Sequence, residues 1–403
     1  MSQADEELNT LVLNQESVGC KNLALGIYLH VPFCSTTCDF CAFYQEKPSK
    51  NGIESYFRGL RDEFDRFSPN REVSTIFIGG GTPGLLKAEQ LDELCSLVSS
   101  HDLSPLVEWS IELAPSEITP EKLDVLRQGG VNRISLGAQT FNPKFMDALG
   151  RQHPVEKTFQ AYQWIRQAGF ESVNLDLLFG APGQSLQDWE DDLAHAVELG
   201  PDHLSTYCLT FEEDTAMFVR LSQGKVKIDP EQEAEFYEFA WDYLPQHGYD
   251  QYEVSNYAKP GHACLHNLNT WAMNEWIGIG PSACTQYQGV RRKNIANLEE
   301  WAEGMQPGNQ PKFIEEEVLS FSDYAQDAVL FGLRMNQGIS IPTIAKNFDV
   351  SIDQFLGITQ FLDRLVSEGL ATQPSSGNYA LTKQGRILSD AIACDLPELG
   401  SAS

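Results

Sequence analysis

Short apolar runs alternate with amphipathic stretches over residues 23–210. Continuous apolar runs bounded by Gly, Pro or polar clusters read as buried strands, and they fall at 23–31, 73–78, 107–113, 133–137, 172–178 and 203–209. Between them apolar residues recur at helical spacing near 52–67, 87–99, 119–128, 154–168 and 185–199. Strand and helix in alternation predict a parallel α/β sheet built from right-handed crossovers. Six such units are too few to close an eight-fold barrel. The pattern therefore predicts a partial parallel (β/α)6 barrel, with an open doubly wound sheet as the alternative.

Beyond 210 the pattern loosens. One helix is expected near 230–245, and then a segment dense in His, Asn, Tyr and Trp from Tyr252 to Trp276. The turn-rich stretch 306–312 reads as a linker. The chain after it predicts a small C-terminal winged-helix-like unit, in the order helix 324–334, helix 342–347, helix 352–368, strand 370–372, turn, strand 379–381 and helix 383–392. Its would-be reading helix carries Asp353, Asp363 and Glu368 against a single Arg364. A DNA reader needs a basic face, so this unit is expected to pack or to dock on protein, which also argues against a transcriptional regulator. The expected division is a flexible leader at 1–22, the barrel at 23–210, an extension at 211–315 and the C-terminal unit at 316–403.

Charge narrows the partners. With 28 basic and 57 acidic residues the net charge is −29, a surface that repels nucleic acid and anionic lipid. No apolar run has the length of a membrane span, and the polar, acidic start MSQADEELNT lacks the basic and apolar parts of a secretory signal, so a cytoplasmic location is expected. The nine cysteines, at 20, 34, 38, 41, 95, 208, 264, 284 and 394, are odd in number and mostly scattered, which argues against a disulfide framework. Cys95 falls in an amphipathic helical pattern and is expected in the core.

Only Cys34, Cys38 and Cys41 have ligand spacing. This C-x3-C-x2-C loop comes directly after the first strand, at the carboxyl end where parallel α/β folds place their chemistry. Three thiolates can hold three irons of a [4Fe-4S] cluster and leave the fourth open to a small molecule. A zinc site with a distant fourth ligand is the alternative. Gly79-Gly80-Gly81-Thr82-Pro83 comes after the second strand; consecutive glycines let a backbone approach a ligand and point amide donors at a carboxylate, although a tight turn alone would also use them. Glu112, Gln139, Arg151 and Asp176 sit at or near the ends of later strands and could line one end of the sheet with groups for an amino acid, a ribose and a purine.

Four stretches taken together, Tyr28-Leu-His-Val-Pro-Phe-Cys-x3-Cys-x-Phe-Cys, Gly79-Gly-Gly-Thr-Pro, Asn132-Arg-Ile-Ser-Leu-Gly-Ala-Gln and Asn174-Leu-Asp-Leu-Leu-Phe-Gly-Ala-Pro-Gly-Gln, resemble the radical S-adenosylmethionine (SAM) superfamily. More narrowly they resemble its branch of oxygen-independent coproporphyrinogen III oxidases (dehydrogenases) and the related heme chaperones, over residue 24 to the end. The resemblance implies cluster ligation by Cys34, Cys38 and Cys41. It implies contacts to S-adenosylmethionine from Tyr28, Phe40, Gly80, Gly81, Thr82, Glu112, Gln139, Arg151 and Asp176. The oxidases carry a further cysteine two positions after the third, where this chain has Phe43, and a longer N-terminal extension than the 33 residues that precede Cys34 here. Both differences favour the chaperone branch.

A heme-chaperone motif His-Asn-x-x-Tyr-Trp is matched by His266-Asn267-Leu-Asn-Thr270-Trp271, with Thr270 in the Tyr position. The resemblance thus implies heme as a third ligand. His266 would bind iron, Asn267 would orient the imidazole, and Trp271 with Tyr257 would cover the macrocycle. A His and a Trp packed in the core is the competing reading. His262 and Cys284 have no matching role. Ala114 stands where the family often has Asn, on the ribose side of the expected cofactor pocket. The expected function is a chaperone passing heme to acceptor proteins, by analogy those of the respiratory membrane. The alternative is coproporphyrinogen III oxidation in porphyrin biosynthesis.

Overall fold

The computed structural model describes residues 25–66, 72–101, 103, 106–151 and 153–400, so the leader expected at 1–22 lies outside the described residues. Six strands stand side by side in parallel: β1 (Leu25–Val31), β2 (Val73–Gly80), β3 (Glu108–Leu113), β4 (Arg133–Gln139), β5 (Ser172–Phe179) and β6 (His203–Cys208). They match the six apolar runs, and helices Lys50–Arg66, Ala88–Ser99, Pro120–Gln128, Val155–Ala168 and Leu186–Leu199 connect them. The partial barrel, not the doubly wound alternative, is the fold.

The alternation within β1 shows how this sequence makes a barrel wall. Leu25, Ile27, Leu29 and Val31 are fully buried and belong to the main apolar core beneath the helices. Gly26, Tyr28 and His30 point the other way, into the barrel. Opposite them on β2 stand Thr75, Phe77 and Gly79, in register with Gly26, Tyr28 and His30. Farther round, the same inward row carries Glu108, Ser110 and Glu112 on β3, Ser135 on β4 and Asn174 and Asp176 on β5. Cys95 is buried in the core, as its helical pattern predicts.

Sequence periodicity missed a seventh parallel strand. After β7 (Asp250–Gln251) and β8 (Asn256–Ala258), β9 (Glu275–Ile279) lies parallel to β1 on its free side. β10 (Cys284–Tyr287), β11 (Val290–Asn294) and β12 (Phe313–Val318) continue from it antiparallel, while β8 and β7 extend the β6 side. The sheet, of twelve strands among the described residues, stays open because its edges, β12 and β7, do not pair.

Glu63 on the first helix ties that extension to the barrel. Its carboxylate accepts from the Gly280 N–H (2.8 Å) and from Asn294 Nδ2 (2.8 Å). Nearby, Gly59 lets the same helix meet Trp301, whose ring would stand 2.5 Å from an added Cβ.

The C-terminal unit keeps the expected order but gains a strand and splits the closing helix: helix Phe321–Gly332, the added β13 (Ile339–Ser340), helix Ile341–Asn347, helix Leu356–Ser367, β14 (Ala371–Ser375) and β15 (Asn378–Leu381), then two short helices in place of one. β15 lies central in a three-stranded sheet. The unit has its own apolar core, which takes in Met273 from the extension. Arg386 fastens it by donating to Gln251 Oε1 (2.8 Å), and Asn336 Nδ2 donates to Gln251 O (2.8 Å).

Replacing Glu63 with Ala leaves the Gly280 donor without its acceptor and takes one acceptor from Asn294. The expected loss is roughly 1–3 kcal/mol of folding stability, read from denaturant unfolding; an unchanged midpoint would show that the tie contributes nothing.

Candidate functional site

The cysteine loop leaves the carboxyl end of β1, and Cys34, Cys38 and Cys41 are all half-buried. The loop is pinned at both ends. Cys34 N–H donates to Glu46 O (2.9 Å) and Glu46 N–H to Pro32 O (2.6 Å). Asp39 N–H donates to Leu149 O (3.2 Å). The Cys34 thiol lies 3.3 Å from the Thr82 hydroxyl. Burial pushes the Cys34 and Cys41 thiols up, while the nearby charge of Arg151 pulls both the other way. Among the described residues no three His, Cys, Asp or Glu side chains converge around a single ion. Phe40 tucks into a small apolar cluster with Leu149, Leu178, Leu209 and Met217, and Phe43 stands 66 % exposed.

The glycine turn after β2 packs against this loop, and it corrects one expectation. Gly81 N–H donates to Val31 O (2.8 Å), Thr82 N–H to Phe33 O (2.7 Å) and Gly80 N–H to Glu112 Oε2 (3.3 Å). These donors are therefore engaged within the protein and form no free nest for a carboxylate. The glycines are needed for close approach. Gly80 has φ +106°, and a Cβ there would stand 2.5 Å from the His30 ring; at Gly81 it would stand 2.7 Å from Phe33 O.

His30, which the motifs gave no role, links this turn to the loop. It is buried, and burial lowers its pKa to about 4, so the ring is neutral. Its Nε2 is 3.0 Å from Tyr44 O, which can only accept, so Nε2 carries the proton. Nδ1 then accepts from the Tyr28 hydroxyl at 3.1 Å. One imidazole thus orients Tyr28 and holds the far end of the cysteine loop.

Inside the mouth stand two carboxylates. Asp176 accepts from Ser135 Oγ (2.7 Å) and Asn174 Nδ2 (2.8 Å). Glu112 has the long bond from Gly80, and its carboxyl is pushed up to about 8, first by burial and then by the charge of Asp176. Gln139 sits at an irregularity in β4 with φ +66°. Its Nε2 lies 2.8 Å, and an Arg151 terminal nitrogen 3.7 Å, from the Cβ position of Gly137. Arg151 Nε is buried without an acceptor. The structure therefore brings the cysteines, Tyr28, Gly80, Gly81, Thr82, Glu112, Gln139, Arg151 and Asp176 to one end of the barrel. An unpartnered guanidinium nitrogen and a strained pair of carboxylates fit a ligand that carries both a carboxylate and a cation.

His266 lies at the opposite end. Helix Leu265–Trp271 lies against the barrel floor, where Glu108 accepts from the N–H groups of Leu265 and His266 (both 3.0 Å). The His266 ring is buried, 3.1 Å from Thr75 Oγ1 at Nδ1 and 5.4 Å from the Phe77 ring. Thr75, where Asn267 was expected, orients the imidazole. Trp271 packs against Phe331 (5.8 Å) under Arg334 (5.2 Å) of the C-terminal unit. Positions five apart on a helix point about 140° apart, so His266 and Trp271 face different surroundings. Tyr257 is fully buried on β8, in register with Leu204 of β6, and does not cover an open face. His262 contributes its carbonyl to Arg133 (2.9 Å), and Cys284 is exposed on β10.

Known proteins match this chain along most of its length. The Radical SAM superfamily matches residues 28–196, and the HemN C-terminal domain matches residues 319–388. The heme chaperone HemW of Bacillus subtilis is 33 % identical over 374 residues, 91 % of this chain and 97 % of its own length. The chain belongs to the HemW family of radical SAM proteins. The HemW of Lactococcus lactis is 33 % identical, covering 84 % of this chain and 89 % of its own, and that of Escherichia coli is 37 % identical over 64 % and 69 %. Among solved structures, the coproporphyrinogen III oxidase HemN of Escherichia coli, a radical SAM enzyme, superposes with a TM-score of 0.80 at 25 % identity, over 96 % of this chain and 92 % of its own.

The carboxylate pair gives this family member a measurable pH response. Folded Glu112 ionises near 8 rather than at 4.5, so between those values the unligated fold holds the extra proton and loses stability as pH rises. Glu112→Gln is expected to melt higher than the parent at pH 8, with the gain shrinking towards pH 5. A gain independent of pH would mean that Glu112 is not the strained group.

Proposed function

We propose that this HemW-family chain is a heme chaperone that carries a [4Fe-4S] cluster on Cys34, Cys38 and Cys41 and binds S-adenosylmethionine in the barrel mouth. The observation that carries this reading is the meeting of a three-thiol loop with Arg151, Glu112 and Asp176 at the carboxyl ends of the strands. A four-iron cluster takes each thiolate on a different iron. When bound, the cluster supplies an open iron and an electron. Around it Arg151 would take a carboxylate, Asp176 would accept from ribose hydroxyls, and Tyr28, held by His30, would close one wall, with Phe40, Gly80, Gly81, Thr82 and Gln139 completing the pocket.

Heme is the proposed cargo, bound through the His266 segment and passed to acceptor proteins, with the respiratory membrane as the family analogy. His266 is neutral at physiological pH, since burial lowers its pKa to about 4, and a neutral imidazole is what iron requires. In this conformation its ring lies under Thr75, so loading heme there would release helix Leu265–Trp271 from Glu108. Among the described residues no helix is long and apolar enough to cross a membrane, which is compatible with a cytoplasmic protein that meets membranes through partners.

The alternative, coproporphyrinogen III oxidation in porphyrin biosynthesis, draws on the match to HemN along nearly the whole chain. Phe43, in the place of the oxidases' further cysteine, weighs against it.

Three outcomes are expected. Anaerobic reconstitution should give about four irons and four sulfides per chain, abolished when Cys34, Cys38 and Cys41 become Ala and unaffected by Cys95→Ala; a stable zinc site without iron uptake would defeat the cluster. Heme should bind, with its absorption band shifted or lost in His266→Ala and kept in His262→Ala, iron content staying constant. Reduced protein supplied with S-adenosylmethionine should leave coproporphyrinogen III unconverted, and turnover at an enzyme-like rate would promote the alternative.

A further inference from the structure

Asp39, between the second and third cysteines, is held through its backbone and its side chain alike. Its N–H donates to Leu149 O (3.2 Å) and its carbonyl accepts from Met217 N–H (2.8 Å). Its carboxylate forms an ion pair with Arg220, with the two side chains 23 % and 43 % exposed. Gly150 presses so close that a Cβ there would stand 3.1 Å from Asp39 N and Oδ1. The next residue, Phe40, enters the apolar cluster that holds Met217.

Met217 and Arg220 share helix Ala216–Ser222, which belongs to none of the strand-to-strand crossovers of the barrel. It comes from the excursion after β6, starts at Thr215, whose hydroxyl accepts from Phe218 N–H (3.2 Å), and crosses to the cysteine loop. Arg220 Nη1 also reaches Ala148 O (3.5 Å), on the turn that leads to Arg151. The helix therefore touches both the cysteine loop and the turn bearing the cationic side chain of the mouth.

We propose that helix Ala216–Ser222 is a clasp that positions the cysteine loop through Asp39, with Arg220 and Met217 as positioning residues. The physical need is clear. A cluster site must hold its thiols to a fraction of an ångström, and Ser35, Thr36 and Thr37, between the first two cysteines, are exposed. The His30 and Glu46 contacts fix the two ends of the loop, and the clasp fixes its middle. Because it also contacts the turn before Arg151, it keeps the thiols and that guanidinium in one frame. The significance for a cluster rests on the function proposed above; the ordering of the loop does not.

The test has two arms. In cluster-free protein, Arg220→Ala should speed amide hydrogen exchange across residues 35–44 by roughly five- to tenfold, the scale of a partly exposed charged hydrogen bond, with Arg220→Lys closer to the parent and the melting temperature nearly unchanged. Asp39→Asn, which keeps the backbone bonds, should act in the same direction. In reconstituted protein the same variants should lose iron to a chelator faster, in the same order. Unchanged exchange in the cluster-free variants overturns the clasp whatever the iron does. Faster exchange in a chain that takes up no iron upholds the clasp and defeats the cluster assignment instead.

Discussion

A barrel interior lined with polar side chains is the constraint on which this structure turns. Burying a carboxylate, hydroxyl or imidazole without a partner costs several kcal/mol, so each inward-facing polar group must be matched from inside the fold or from a ligand. Towards the floor the matching is internal. Glu108 holds two N–H groups of helix Leu265–Trp271, Thr75 meets His266, and Arg133 reaches Ser172 Oγ and His262 O. Midway, Asn174 accepts from the His203 side and donates to Ser135 and Asp176. At the mouth the matching is incomplete, with Glu112 on one long bond and Arg151 Nε without an acceptor. Ser110 Oγ and Asn269 Oδ1 further in are also without partners, but at the mouth the poorly matched groups are an arginine and a carboxylate, beside the cysteines.

The two ends of the barrel hold two kinds of site. The mouth is preassembled: His30 orients Tyr28 and the loop, the glycine turn admits both, and Asp176 is held by two donors. The His266 segment is closed, with its imidazole already engaged and its tryptophan facing the C-terminal unit. Thr270, in the place of the family's Tyr, returns its hydroxyl to His266 O (3.1 Å) within the helix rather than offering a ring to a ligand. On the function proposed above, the covered imidazole would await its cargo, whereas cofactor binding would need its donors fixed beforehand.

The C-terminal unit is joined to the extension by polar contacts from Arg386 and Asn336 to Gln251 and by an apolar core shared through Met273. Its third helix carries one acid and one base, Asp363 and Arg364, and packing beside Trp271 makes the unit the neighbour of the His266 segment. Movement of that segment would therefore be felt in both the barrel floor and the C-terminal unit.

Local pattern was enough for the six parallel strands, the helices between them and the winged-helix-like order at the end, because burial on one face imposes a period that a single sequence displays. The cysteine spacing and its place after an apolar strand were also legible, since both are properties of consecutive residues. β9 was not, because a strand whose partners lie about 250 residues away carries no signal of them; its run Glu275–Ile279 says only that it is apolar. The roles of His30, Asp39 and Arg220, and the closure of the glycine donors, were likewise decided by tertiary structure. So was the separation of His266 from Trp271, which adjacent letters had suggested would act together. In each case the physical reason is the same: the order of residues determines which groups a segment offers and on which face, but a hydrogen bond or an ion pair exists only when the fold brings the second partner to it.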